Sequence, residues 1–175
     1  MARYSITLNF LLPKQIVQKL KDIKISENFA FDWRNSNFCH CTVKAIALCD
    51  EIPKEIKSWA KESEKIISRQ KSFKVSLKDV AKFPTAIFAN VYSNELLKLH
   101  KKLSKILPSS QPQYENENYV PHVSIVGLSG DTKILSDLRQ NFGEFEVKEI
   151  QLMIWDLNDL NKSQINKIFI LAETS

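Results

Sequence analysis

The sequence predicts an α+β protein of two pseudo-symmetric lobes, each a mainly antiparallel sheet with helices outside, around a central cleft. Three observations lead to this prediction. Strand-like and helix-like hydrophobic periods alternate along the chain, and the same order of elements runs twice. Each half also contains one histidine in a similar setting, His40-Cys41-Thr42-Val43 and His122-Val123-Ser124-Ile125. We expect one domain over residues 1–175, an internal duplication with approximate halves 1–85 and 86–175.

The first half shows both periods in turn. Apolar and polar residues alternate from residue 3 to residue 12, as in a half-buried strand. Pro13 then suits the first turn of a helix, because its fixed φ is helical and its missing N–H is not needed there. The patterns predict, in order, a strand (3–12), a helix (13–25), a loop (26–37), a strand beginning at His40, a helix (53–69) and a strand (73–82).

The second half repeats the order with different residues. Asn94 is the expected N-cap of a helix that ends before Pro108. Residues 108–119 have no periodicity and are expected to form a flexible loop. The patterns predict a strand (86–93), a helix (95–107), a strand (120–128), a helix from Asp131 to about Phe142, and two final strands (144–156 and 165–172).

Composition limits the partners and the compartment. The net charge of +5 favours anionic partners such as RNA or nucleotides, although a lysine-rich solvated surface would have the same charge. Three cysteines without a disulfide framework indicate a reducing, cytoplasmic location. Without a run of about 20 apolar residues or an apolar leader, we expect no membrane span and no signal peptide. We expect a monomer.

The spacing within each motif places a histidine beside a hydroxyl. Residues i and i+2 of a strand share a face, so His40 lies beside Thr42 and His122 beside Ser124. An imidazole with a pKa near about 6.5 serves as an acid or a base at neutral pH, and a hydroxyl donates to a phosphoryl oxygen. This pairing suits acid–base chemistry on a phosphate without a metal or cofactor. A zinc site at Cys39-His40-Cys41 is not expected, because alternation turns both thiols away from the imidazole.

The segments His40-Cys41-Thr42-Val43 and Pro121-His122-Val123-Ser124-Ile125 resemble the signature of the 2H phosphoesterases. That superfamily includes the 2′-5′ RNA ligase-like proteins and the cyclic nucleotide phosphodiesterases. The resemblance implies a phosphoesterase that hydrolyses 2′,3′-cyclic phosphates or 2′-5′ phosphodiester bonds. It implies His40 and His122 as catalytic residues, Thr42 and Ser124 as phosphate-binding residues, and an RNA end or small nucleotide as substrate.

Four further residues are weaker candidates for substrate binding. Lys44 should share the face of His40, and Tyr119 precedes the second motif and could stack on a base. Thr7 and Asn9 form the polar face of the first strand, which lines the cleft if that strand is central. His100 has no motif around it and is expected to be structural.

The sequence leaves several alternatives open. Val120 stands where RNA ligase-like members often have arginine, so the substrate is not fixed. Within the class, the rivals are an RNA 3′-end trimming nuclease, a 2′-5′ oligoadenylate phosphodiesterase and a cyclic ADP-ribose-phosphate hydrolase. Outside it, the chain could be an RNA- or nucleotide-binding module without turnover, or a structural interaction protein. Which histidine is the acid and which the base is also open.

Overall fold

The computed structural model describes residues 2–26, 28–130, 133–134 and 138–173. These residues form three α-helices and nine β-strands. The helices are α1 (Lys14–Lys21), α2 (Ile56–Ile67) and α3 (Asn94–Ser104). The strands are β1 (Tyr4–Leu11), β2 (Phe29–Asp32), β3 (His40–Cys49), β4 (Phe73–Phe83), β5 (Ala86–Tyr92), β6 (His122–Leu128), β7 (Asn141–Val147), β8 (Glu149–Asp156) and β9 (Gln164–Ile170).

The described strands form an antiparallel sheet in the order β7-β4-β5-β6-β3-β1-β8-β9, and β2 also pairs with β6. The two strands that contain the histidine motifs, β3 and β6, are neighbours in the middle of this order. Their pairing runs through Cys41 and Val123. The predicted α+β class with antiparallel pairing is therefore confirmed, whereas the division into two lobes stays a prediction.

The apolar face of β1 lies in the core, and its polar face is covered as well, so β1 is not half-buried. Ile6, Leu8 and Phe10 of β1 are at most 1% exposed and belong to the main hydrophobic core. Helix α3 buries an apolar stripe of Leu96, Leu99 and Leu103, the helical spacing expected for one face, and it packs against β3 and β4. Each such side chain stabilises the fold by about 1.5–3 kcal/mol when fully buried. No helix among the described residues is long and apolar enough to cross a membrane.

Strands of the two halves of the chain pair with each other. Strand β1 pairs with β3 of its own half and with β8 of the second half. Strand β5 correspondingly pairs with β6 of its own half and with β4 of the first half. The pairings around β1 and β5 are thus equivalent, as a pseudo-two-fold arrangement requires. The internal duplication itself stays a prediction.

The described part of the segment predicted as a helix from Asp131 to Phe142 is not helical. Asp131 and residues 132 and 135–137 lie outside the described residues. Ile134 forms a β-bridge with Ile25, and Phe142 is buried in β7. Short apolar runs fit both helical and strand periods, and here pairing with the edge of β4 favours the strand. The predicted strand 144–156 is accordingly two strands, β7 and β8, that meet at Lys148.

Three smaller boundaries also differ from the prediction. Ser93, not Asn94, caps α3, because its Oγ accepts a hydrogen bond from the Leu96 amide. The predicted loop 26–37 contains β2 and a short 3₁₀ turn at Trp33–Asn35. The predicted helix over 13–25 ends at Lys21. Local hydrogen bonds of this kind depend on geometry that hydrophobic periodicity does not report.

Candidate active site

The two histidine motifs meet where β3 and β6 pair. Cys41 lies opposite Val123, and in an antiparallel pair this register places His40 opposite Ser124 and Thr42 opposite His122. Cys41 and Val123 are fully buried, whereas those four side chains are partly exposed on the other face. We call this side of the sheet the motif face. The structure therefore brings the four main predicted site residues together.

Both imidazoles are held by the same local hydrogen bond. Nδ1 of His40 donates to the Phe38 carbonyl at 2.7 Å, and Nδ1 of His122 donates to the Val120 carbonyl at 2.7 Å. Because a carbonyl only accepts, each bond fixes the neutral ring with its proton on Nδ1. The opposite nitrogen, Nε2, then has a free lone pair, and it has no hydrogen-bond partner among the described residues.

Burial keeps both rings neutral in the absence of a ligand. It lowers the pKa of His40 to about 4, against the opposing effect of the Phe38 hydrogen bond, and a charge on His122 lowers that pKa further. Burial also lowers the pKa of His122 below its ordinary value of 6.5. An anion placed between the two rings would favour their protonated forms and raise both pKa values.

Aromatic side chains surround each histidine. The His40 ring stacks on Trp155 with centroids 4.6 Å apart, and the edge of Trp33 approaches it at 5.0 Å. Phe83 and Phe88 approach the His122 ring edge-on at 5.2 and 5.3 Å. Sequence reasoning did not assign Trp155 or Phe88 to the site. They come from β8 and β5, and no local pattern connects them to the motifs.

Thr7 and Asn9 lie beside the site but are covered. Thr7 Oγ1 accepts hydrogen bonds from Trp155 Nε1 at 2.7 Å and from Asn9 Nδ2 at 2.6 Å. Asn9 is opposite Thr42 in the sheet and has no exposed surface. Thr7 thus fixes the indole N–H of the ring on which His40 stacks, and Asn9 in turn holds the Thr7 hydroxyl.

Lys44 does not lie on the face of His40. Leu8 pairs with Lys44 and Asn9 pairs with Thr42, so β3 has an extra residue, Val43, between them. Such a bulge turns the following side chain to the other face. Lys44 is accordingly 1% exposed, donates to the Ala45 carbonyl at 3.1 Å and forms an ion pair with Glu115.

The ring and the hydroxyl of Tyr119 are both used in contacts within the protein. Its ring stacks on His100 with centroids 3.8 Å apart, and its hydroxyl donates to the Thr42 carbonyl at 2.7 Å. His100 Nδ1 donates to the Val43 carbonyl at 2.8 Å, and its Nε2 accepts from the Asn116 amide at 3.1 Å. Tyr119 and His100 therefore hold the backbone of the first motif rather than presenting a free ring.

The described residues contain no cluster of three or more His, Cys, Asp or Glu side chains that could hold a metal ion. Cys39 and Cys41 are buried, and burial raises the pKa of each thiol to about 12, so neither is a ready thiolate ligand. The alternation predicted around His40 is present, since Cys41 faces the core and His40 faces the motif side.

Solved structures with the same fold are similar over almost the whole chain. A Thermus thermophilus protein, TT0787, has a TM-score of 0.70 at 14% identity, covering 98% of this chain and 100% of its own. A structure described as a phosphoesterase has a TM-score of 0.72 at 16% identity, covering 96% and 98%. LigT of E. coli, crystallised with 3′-AMP, has a TM-score of 0.71 at 16% identity, covering 95% and 97%. At these identities the likeness shows the fold.

The family itself is shown by the sequence. Among curated proteins, no significant match to this chain was found. A model of the 2′-5′ RNA ligase superfamily, in contrast, matches residues 12–159 and so spans both histidine motifs. The protein thus belongs to the 2′-5′ RNA ligase superfamily.

Proposed function

We propose that this protein is a metal-independent phosphoesterase that cleaves 2′,3′-cyclic phosphates or 2′-5′ phosphodiester bonds in RNA or small nucleotides. The observation that carries the proposal is the central pairing of β3 with β6. It sets two imidazoles and two hydroxyls on one face, each imidazole opposite a hydroxyl of the other motif. Membership of the superfamily supports an enzymatic role.

Hydrolysis of a cyclic phosphate needs one proton acceptor and one proton donor. His40 has the more strongly lowered pKa, about 4, so it stays neutral and accepts the proton of the attacking water at Nε2. The water oxygen bonds to phosphorus while the bond from phosphorus to one ribose oxygen breaks. His122, protonated next to the anionic substrate, donates its proton to that departing oxygen. Each transfer contributes typically about 10²–10⁴-fold.

Thr42 and Ser124 bind the phosphate in this proposal. Each hydroxyl is opposite the histidine of the other motif, so two hydroxyls and two imidazoles share one small area of the motif face. Donors aimed at the non-bridging oxygens stabilise the charge that builds up as water attacks. Tyr119 contributes indirectly, because its hydroxyl bond to the Thr42 carbonyl fixes the backbone of that residue.

Nucleotide binding is the part of the proposal that draws on the structural neighbours. E. coli LigT has been crystallised with 3′-AMP, NADP+, ATP and phosphate. We extend nucleotide binding to this chain because Trp33, which is partly exposed, presents aromatic surface beside His40, and a base stacks on such a ring. A cytoplasmic location and a monomeric state belong to the same proposal.

A turnover assay with EDTA present tests this function. The substrates are 2′,3′-cyclic AMP, a 2′-5′-linked diadenylate and an RNA oligomer that ends in a 2′,3′-cyclic phosphate. We expect product from the wild-type protein, and at least a roughly 100-fold loss in His40→Ala and in His122→Ala. Urea unfolding of both variants checks that they are folded.

The other outcomes separate the alternatives. Shortening of the RNA without opening of a cyclic phosphate would favour a 3′-end trimming nuclease. Binding of 3′-AMP without turnover of any substrate would favour a nucleotide-binding module. Full activity in either folded histidine variant would refute the two-histidine mechanism.

A further inference from the structure

A row of polar side chains leads away from His122 across the motif face. Asn90 of β5 is directly opposite His122, and Lys78 of β4 is directly opposite Asn90. Directly opposite residues of antiparallel strands point to the same side of a sheet. With neighbouring strands about 4.8 Å apart, the Cα atom of Lys78 is roughly 10 Å from that of His122. The Lys78 side chain can therefore reach an anion bound next to the histidine.

The two polar groups of this row are available to a ligand. Lys78 is exposed and forms no ion pair or hydrogen bond with the described residues. Asn90 donates one amide hydrogen to the Asp79 carbonyl at 3.3 Å, which leaves a second hydrogen and its Oδ1. A cation and an amide thus lie side by side next to the candidate active site.

The equivalent row on the other side of the site has the opposite character. Leu11 is directly opposite His40, and continuing the pairing of β1 with β8 places Glu149 opposite Leu11. Gln151 Nε2 donates to Glu149 at 2.8 Å, which keeps that carboxylate in place. An anionic strand that leaves the reacting phosphate is therefore attracted on the His122 side and repelled on the His40 side.

The neighbouring row of opposite residues, two positions along β4 and β5 from Lys78 and Asn90, contains an aromatic ring. Tyr92 is 51% exposed and is opposite Ser76, two residues from Lys78 on the same face of β4. Its ring can stack on a base of any identity. Beyond it, Ser76 Oγ donates to Glu144 at 2.7 Å, so a carboxylate ends the row. The positive charge of Lys78, bounded by the Glu144 carboxylate, therefore suits one phosphate.

We propose that Asn90, Lys78 and Tyr92 form a second nucleotide subsite of this protein. Lys78 and Asn90 bind the phosphodiester that joins the terminal nucleoside to the rest of an RNA strand, and Tyr92 stacks on the preceding base. The inference rests on the proposed function and narrows it, because it makes the end of an oligonucleotide the substrate rather than a mononucleotide.

The test compares a mononucleotide with a dinucleotide. We would measure kcat/KM for adenosine 2′,3′-cyclic phosphate and for ApA ending in a 2′,3′-cyclic phosphate. The wild-type protein should prefer the dinucleotide by about tenfold or more. Lys78→Ala and Tyr92→Ala should each reduce this preference at least fivefold, in line with the loss of one phosphate contact or one stacked base.

Lys74→Ala is the matched control. Lys74 is on the same strand and the same face as Lys78 and is also exposed, but it is four residues away and so two rows farther from His122. It changes the net charge equally and should leave the dinucleotide preference unchanged. An equal loss in Lys74→Ala and Lys78→Ala would mean that the general positive field, not a subsite, attracts the strand.

A binding measurement separates this inference from the proposed function. Isothermal titration with ApA ending in a 3′-phosphate and with 3′-AMP needs no turnover. Tighter binding of the dinucleotide that depends on Lys78, without turnover of any substrate, would support the subsite and refute the enzymatic proposal. Turnover of both substrates with equal kcat/KM would support the enzyme and refute the subsite.

Discussion

His40, the proposed proton acceptor, lies in largely apolar surroundings. Its ring is stacked on Trp155 and bordered by Trp33, and its Nδ1–H has a carbonyl partner. Such a setting orients the imidazole and favours its uncharged form. The same surrounding that keeps His40 neutral must therefore cost stability in acid.

We predict that the unfolding free energy falls as pH drops from about 6.5 to about 4. In this range the unfolded His40 binds a proton and the folded one, with a pKa of about 4, does not. The contribution is fully present above pH 6.5, and at about 1.4 kcal/mol per pKa unit its loss amounts to roughly 3 kcal/mol. Urea unfolding at several pH values measures this slope.

His40→Gln is the comparison for that measurement, because it removes the titration and leaves every carboxylate in place. We expect a shallower slope, with the remainder due to His122 and His100, whose pKa values burial also lowers. Equal slopes in the variant and the wild-type protein would show that His40 is not a buried neutral base.

At the scale of elements, the bulge in β3 and the segment before β6 depend on each other. The bulge at Val43 turns Lys44 into the interior, where Glu115 from the segment 108–119 meets it. Ser109 Oγ also donates to Glu115 at 2.8 Å. Burial alone would raise the pKa of Glu115, but hydrogen bonds from Lys44, Ser104 and Ser109 hold it below its ordinary value. This ion pair thus connects β3 to the segment that precedes β6.

Removing one partner of this pair should be costly. We predict that Glu115→Leu lowers the unfolding free energy by about 3–5 kcal/mol, because the Lys44 ammonium is left buried without a counter-charge. In the double variant Lys44→Met, Glu115→Leu much of this loss should be recovered. Urea unfolding of the two proteins provides the comparison, and equal stabilities would contradict the role of an uncompensated charge.

The start of α3 gives a second prediction at this scale. Ser93→Ala should cost about 1 kcal/mol, because it removes the side-chain acceptor of the Leu96 amide. Asn94→Ala is the natural control, since Asn94 is the first helical residue and alanine is the better helix former. Thermal unfolding of both variants checks the assignment. A larger loss of stability in Asn94→Ala than in Ser93→Ala would show that Asn94, the residue predicted from sequence, is the N-cap.

At the scale of the whole molecule, the chain halves are interleaved in the sheet. Strand β4 of residues 1–85 pairs with β5 and β7, and β8 of residues 86–175 pairs with β1. Neither half therefore keeps its full set of strand partners alone. The site depends on this arrangement, since Trp155 of β8 supports His40 of β3.

We predict that fragments 1–85 and 86–175 do not fold separately but associate when they are mixed. Each alone exposes strand edges and apolar faces that the other covers. Circular dichroism and proton–nitrogen NMR spectra of each fragment and of the mixture would measure this. A dispersed spectrum from either fragment alone would show that a half is an independent folding unit.

The residues that could be read from sequence are those governed by local periodicity. Strand alternation placed His40 and Thr42 on one face, and His122 and Ser124 on one face, and the structure agrees. The α+β class followed from the same periods. Alternation could not place Lys44, because a bulge changes the face of a side chain without any change of composition. The described part of 131–142 was misassigned because a short apolar run suits two periods.

The sequence by itself thus determined the antiparallel α+β class and the two motifs, because both depend on the alternation of neighbouring residues. Only the tertiary structure decided which side chains surround the motifs. Trp155 reaches His40 from β8, and Asn90 and Lys78 extend from His122 through pairing with β5 and β4. Strand order and register join residues that are far apart in the chain, and no local pattern reports them.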